Sequence, residues 1–312
     1  MNKIENIQSL IKLKSDLQSR LNLLPYDGTP EIKEISNKKY LYVRKRVLNK
    51  VTSTYVGLYS DELYNILIKN NKEAKDLKKQ IRQIEKELLI LGYEEGNLSK
   101  EVLLNIDFAR INLKVNIYNQ AVLEGVDKTF PQTEEIIDNG IVSNMNTSDI
   151  QKIINLKHAW EFILDKDVLG SETNLDILTY IAKIVNDNLI INGGMLRQLP
   201  VTIGGTNYIP PIPNEEDVKE NIYNIINSNK SLLDKAIELC LYLMRTQVFL
   251  DGNKRVSVLF ANYYLIKNAG GLLVIPYKDV SLFKKLLVKF YETYDIKDIK
   301  NFMLDKCYKN LA

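Results

Sequence analysis

The chain has 312 residues and a formal net charge of +3, long enough for a sizeable core and for more than one compact unit. That balance argues against a function resting on bulk charge. The charge is uneven, however: residues 1–92 carry 18 basic against 11 acidic residues, a net +7 that leaves −4 for the other 220.

Cys240 and Cys307 lie far apart inside apolar helical patterns, which argues against a disulfide framework and against a cysteine metal site. No run approaches the ~18–20 apolar residues of a membrane span, and the first residues lack a signal-peptide core. A cytoplasmic protein with no membrane partner is the expectation.

Residues 2–24 space Ile7, Leu10, Leu17, Leu21 and Leu24 as one face of an amphipathic helix, ended near Pro25-Tyr26-Asp27-Gly28. From Lys39 to Gly57 the pattern turns β-branched and aromatic around a polar Leu48-Asn49-Lys50 turn, which predicts a β-hairpin. Arg44, Lys45, Arg46 and Lys50 make it distinctly positive. Ser60-Asp61-Glu62 then caps a long helix, in which Leu63, Leu67, Asn70, Ala74, Leu77, Ile81, Ile84 and Leu88 recur at 4-3 steps. Such a heptad seam can pair with the first helix or with a second copy of the chain. Residues 1–95 therefore read as a helix–hairpin–long helix arm, a homodimer contact in one reading and a basic surface for nucleic acid or a partner protein in another, nucleic acid being the weaker.

Residues 96–312 read as a mainly helical domain. A helix from Ser99 to Leu123 buries Val102, Ile106, Ala109, Leu113 and Ile117 and ends at Glu124-Gly125, a carboxylate before a glycine C′ position. After a loop rich in Asn, Asp and Ser, helices follow from Asp149 to Leu164 and from Leu175 to Leu189. The single histidine, His158, lies inside the first of these and reads as structural. Residues 201–211 alternate around Gly204-Gly205 and close on Pro210-Pro211, the pattern of a short hairpin whose exposed edge can pair with another chain. Helices from Asn214 to Ile226 and from Ser231 to Thr246 lead to the stretch Gln247-Val248-Phe249-Leu250-Asp251-Gly252-Asn253-Lys254-Arg255, which opens a helix running to Lys267. Asn268-Ala269-Gly270-Gly271 stops it, and helices near Ser281–Tyr291 and Ile296–Tyr308 close the domain.

The turn at 247–255 concentrates the chemistry. A helix start carries unsatisfied N–H groups and partial positive charge, and glycine lets a ligand approach the backbone. Gly252, Asn253 and Lys254 can thus cradle a phosphate, with Arg255 as a fixed cation and Asp251 as a hard ligand for Mg²⁺.

This stretch resembles the signature of Fic/Doc (Fido) proteins, H-x-F-x-[DE]-G-N-[GK]-R-x-x-R. Phe249, Asp251, Gly252, Asn253 and Arg255 match and Lys254 is an accepted variant, while Gln247 stands at the histidine and Val258 at the last arginine. Two further stretches support the resemblance. Glu124-Gly125 resembles the end of the family's inhibitory helix, [ST]-x-x-x-E-[GN], with Gln120 in place of the Ser/Thr. Residues 193–211 resemble the flap that holds a target peptide, in which Ile203, Gly204, Gly205 and Tyr208 fall on the pattern. The resemblance implies a mainly α Fic core with a β-hairpin flap, and AMPylation: a target hydroxyl attacks the α-phosphate of ATP with Mg²⁺ bound and histidine as base. It assigns Asp251 to the metal, Asn253 to the α-phosphate, Gly252 to Arg255 to the phosphates and Glu124 to inhibition.

A glutamine cannot take a proton near neutral pH, and loss of a general base costs roughly 10²–10⁴-fold in rate. The expectation is a nucleotide-binding relative of adenylyltransferases, inactive or very slow, with a protein target at its flap. An active nucleotidyl- or phosphoryl-transferase with a different base is the alternative, and a binding module using the arm is a third.

Overall fold

In the computed structural model, residues 3–47, 50–94, 96–126, 129–139 and 146–311 are described. The turn residues Leu48-Asn49, the pair Asp127-Lys128 after Glu124 and most of the polar loop before Asn146 lie outside them. The chain forms two units, Met1–Glu94 and Glu95–Ala312.

The first unit is α1 (Lys3–Leu23), β1 (Thr29–Ile35), β2 (Lys38–Val47), β3 (Lys50–Leu58) and α2 (Asp61–Ile90). The expected hairpin is a three-stranded antiparallel sheet in the order β1-β2-β3. The added strand, Thr-Pro-Glu-Ile-Lys-Glu-Ile, carries a proline and three charges and falls before the expected hairpin. It is an edge strand, the place where a sheet tolerates both. The seam of α2 is buried from Leu67 to Leu88, and its second half packs with Ile11 and Leu17 of α1 in one cluster. Asn70 lies on this seam, buried. Its side chain donates to the Pro25 carbonyl at 3.0 Å, capping the chain as it leaves α1.

The second unit contains α3 (Lys100–Ile111), α4 (Leu113–Leu123), α5 (Phe130–Asn139), α6 (Thr147–Ile163), α7 (Lys166–Gly170), α8 (Leu175–Val185), α9 (Glu215–Ile226), α10 (Leu232–Thr246), α11 (Asn253–Lys267), β4 (Leu272–Leu273), α12 (Val280–Thr293), α13 (Lys297–Phe302) and β5 (Tyr308–Lys309). Every residue of α11 from Arg255 to Ile266 is buried, so this helix is the axis around which α3, α6, α8 and α10 pack.

Several boundaries differ from the sequence reading. The helix expected over 99–123 breaks at Asn112, whose side chain donates to the Phe108 carbonyl at 2.8 Å and competes with the backbone ladder. Leu113, at the break, is only half buried. The helix expected to reach Leu189 ends at Val185, where Asn186 caps it. The last expected helix ends early in a π-turn over Met303–Cys307, after which Tyr308–Lys309 pairs antiparallel with Leu272–Leu273. Residues 201–211 turn at Gly204-Gly205, but no ladder joins the two sides.

Candidate functional site

The site is built where α10 ends and α11 begins. Gln247 terminates α10 in the left-handed conformation (φ +50°), and Gly252 starts α11 at φ +74°. Between these two reversals Val248 and Phe249 are driven into the core, each about 1% exposed. Asn253 holds the loop closed. Its Oδ1 accepts from the Phe249 N–H at 2.9 Å, and its Nδ2 donates to the Phe249 carbonyl at 2.7 Å and to Gln247 Oε1 at 3.1 Å. The Asn253 amide is thus spent inside the turn, where it shapes the loop.

Gln247 is likewise occupied. Its Nε2 donates to the Met244 carbonyl at 2.5 Å while its Oε1 takes the Asn253 proton. The Tyr291 phenol, hydrogen-bonded to the Gln247 side chain, is no substitute base. Burial raises its pKa well above the usual phenol value, the nearby Cys240 and Glu124 push the same way, and the Gln247 bond only partly opposes them.

Arg255 is about 1% exposed. Its Nη1 donates to the Val185 carbonyl at 3.2 Å and its Nη2 to Asp251 Oδ2 at 3.3 Å. Asp251 itself keeps a half-exposed side chain, 51%. Glu124 closes the group: Oε2 lies 3.5 Å from Arg255 Nε and Oε1 3.5 Å from Lys254 Nζ. These are ion-pair distances and too long for hydrogen bonds, and both Glu124 Oε1 and Arg255 Nε are buried without a hydrogen-bond partner.

No sequence motif marks the contacts that bring these parts together. Gln120, one turn before Glu124, donates to the Arg255 carbonyl at 2.8 Å and accepts from Trp160 Nε1 at 3.1 Å, pinning the end of α4 against the first turn of α11. Asn186 Nδ2 donates to the carbonyls of Gly193 and Asp251 at 3.0 and 3.1 Å. Its Oδ1 lies where it would meet a side chain added at Gly252, at 2.8 Å from such a Cβ. Arg197 is the third tie. It is about 1% exposed and donates only to carbonyls: Gln247 and Thr246 before the turn, and Leu199, Pro210 and Pro211 at the ends of the flap. Burial holds its pKa below the usual guanidinium value. Tyr208 of the flap stacks on Tyr291 at 6.2 Å, and the Arg245 guanidinium lies 4.1 Å from its ring centre. Ile203 is half buried, whereas Gly204 and Gly205 at the flap turn are exposed.

Val258 is buried one turn beyond Arg255. With Asn116, Gln120, Leu123 and Trp160 it lines a cavity of only about 10 Å³, so the core has closed over the position. His158 is buried in α6.

Gly252 offers no side-chain cap to α11, which leaves first-turn N–H groups for an anion, with Lys254 beside them. Asp251 is the exposed carboxylate. Among the described residues no group of three or more His, Cys, Asp or Glu side chains could hold a metal unaided, so a cation there would share Asp251 with ligand phosphates, as Mg²⁺ commonly does.

Comparison with known structures identifies the class. The chain resembles Fic-1 (aa134–508) from C. elegans at 16% identity, with 78% of this chain and 79% of that chain covered and a TM-score of 0.52. A Fic domain containing signaling protein from Bacteroides thetaiotaomicron matches at 19% identity, covering 67% and 85%, TM-score 0.53. A Fic family protein from Desulfovibrio desulfuricans matches at 15%, covering 68% and 74%, TM-score 0.52. The fold is therefore that of the mainly helical Fic proteins. Residues 173–265, which span α8, the flap, α10 and most of α11, match the Fic/DOC family model. Residues 3–65 match a domain of unknown function (DUF6788). No curated protein matches the chain.

Proposed function

We propose that the Fic segment binds a nucleoside triphosphate, ATP with Mg²⁺ by family usage, at the start of α11, and transfers AMP very slowly or not at all. The observation that carries this reading is the Gln247 amide, both ends of which are engaged within the loop at the position where the family places its base. Backbone N–H groups from Asn253 to Arg255 and the Lys254 ammonium would receive the phosphates, and Asp251 would ligate the metal. Mg²⁺ would neutralise charge on the phosphates. Asn253 keeps the turn in shape, while buried Arg255 lends positive charge without leaving its partners. Glu124 lies against the same two cations and so competes with an incoming phosphate, a regulatory contact of the family's kind made here through Lys254 and Arg255. The flap from Ile203 to Tyr208, braced by Arg197, would present a protein target.

The test compares the parent with Gln247→His, since histidine is among the residues that tolerate a left-handed backbone. Each is incubated with labelled ATP, Mg²⁺ and cell lysate. The parent should label little or nothing, and the variant roughly 10²-fold or more faster. Equal labelling by both would overturn the slow-transferase half of the proposal. Absence of any thermal shift with magnesium nucleotides would overturn the binding half.

A further inference from the structure

The three-stranded sheet lies in the first unit, and its outer face carries none of the residues proposed above for nucleotide binding. Residues directly opposed in an antiparallel pair share a face, and successive residues alternate. Leu41 and Val43 of β2 are buried with Leu67 of α2. Tyr40, Tyr42 and Arg44 therefore stand on the opposite face. The register sets Tyr55 and Ser53 of β3 against Tyr42 and Arg44, and Lys33 and Glu31 of β1 against Tyr40 and Tyr42.

The three tyrosines form one cluster. Tyr42 and Tyr55 meet edge to face at 5.5 Å between ring centres, and Tyr40 lies 6.2 Å from Tyr55. Tyr55 is 52% exposed. Cations frame the rings. Lys33 Nζ sits 4.2 Å over the Tyr42 ring, and Arg44 is exposed with no carboxylate within ion-pair distance among the described residues. The acid on this face is Glu31, which accepts from Ser53 Oγ at 3.2 Å and lies 3.6 Å from Lys33.

We propose that this face binds single-stranded nucleic acid, with bases stacking on the exposed Tyr55 and on Tyr40 beside it, and phosphates meeting Arg44 and Lys33. Flat rings inside a cationic frame are what an unpaired strand recognises: every base offers a π-face, and every nucleotide brings a negative charge. A duplex keeps its base faces stacked and cannot use the rings. The net +7 of residues 1–92 supplies attraction at longer range. This inference is independent of the nucleotide reading, since no residue of the Fic segment enters it.

The experiment is fluorescence anisotropy of a labelled oligothymidylate, about twenty nucleotides long, with the full chain at low and at moderate salt. Binding should saturate at micromolar protein and weaken steeply with salt, and an unlabelled duplex should compete at least about tenfold less well than the single strand. Tyr55→Ala should weaken binding roughly tenfold, whereas Tyr55→Phe, which keeps the ring, should change it less than about twofold. Arg44→Gln should weaken binding and reduce its salt dependence. Thermal midpoints matching the parent check that the variants are folded; a variant that fails this check is replaced by Arg44→Gln, whose side chain is exposed. No saturable binding, duplex binding as tight as the single strand, or equal affinity in Tyr55→Ala or Arg44→Gln would each overturn the assignment.

Discussion

Replacing Glu124 by glutamine should move stability and nucleotide affinity in opposite directions. In the folded chain its carboxylate lies 3.5 Å from both Lys254 Nζ and Arg255 Nε, with its side chain 10% exposed. At an effective dielectric of about 20, unit charges at that separation attract by roughly 5 kcal/mol before desolvation is counted. Desolvation offsets most of this. Removing one partner of a fully buried pair costs about 3–5 kcal/mol, but Lys254 is one-third exposed and Arg255 keeps Asp251 and the Val185 carbonyl. A loss of about 1–2 kcal/mol in unfolding free energy is therefore expected.

The same substitution removes a negative charge from the place a triphosphate would enter, so affinity for magnesium ATP should rise about tenfold, or ~1.4 kcal/mol. Thermal unfolding measures the first effect and calorimetric titration the second. A destabilised variant that binds nucleotide no better than the parent would refute the competition and leave Glu124 a structural residue only.

Three further outcomes follow from the fold. Arg197→Met removes a cation bonded only to carbonyls of the flap ends and the signature turn; it should cost about 3 kcal/mol or more and make the flap the first site of limited proteolysis, whereas cleavage elsewhere would refute the bracing role. Asp27 is half buried between Lys45 and Lys78 at 2.6 and 3.0 Å; burial raises its pKa, but bonds to the two lysines more than offset this and leave it below the usual carboxylate value. Its folded pKa being depressed, its contribution is fully present above the unfolded value near 4 and is lost as pH falls through the folded one, so acid should destabilise the first unit in the parent more than in Asp27→Asn. Cys240 and Cys307 are buried, and burial pushes the Cys307 thiol up to about 12 and Cys240 higher still; a thiol reagent at neutral pH should leave both unmodified until the chain unfolds, and rapid labelling of the native protein would contradict that packing.

Several features were legible before any fold was known. The seam of α2, the apolar faces of α8 and α10 and the abrupt turn at Gln247–Arg255 are local patterns, because helix periodicity and the backbone freedom of glycine act within a few residues. Local pattern failed to show β1, where a proline and charges sit on an edge strand. It failed again at the C-terminus, where strand pairing with Leu272–Leu273 draws the chain out of helix.

The sequence alone established which residues stand in the turn, including glutamine where the family has histidine and valine where it has arginine. Only the tertiary structure decided what they do there. Gln120 meets Arg255 across 135 positions and Arg197 meets Gln247 across 50, and no local pattern encodes such pairings. The first follows from α4 and α6 packing at the start of the largely buried α11. That packing brings Glu124 to two cations, and the closure of the loop by Asn253 turns the Gln247 amide inward.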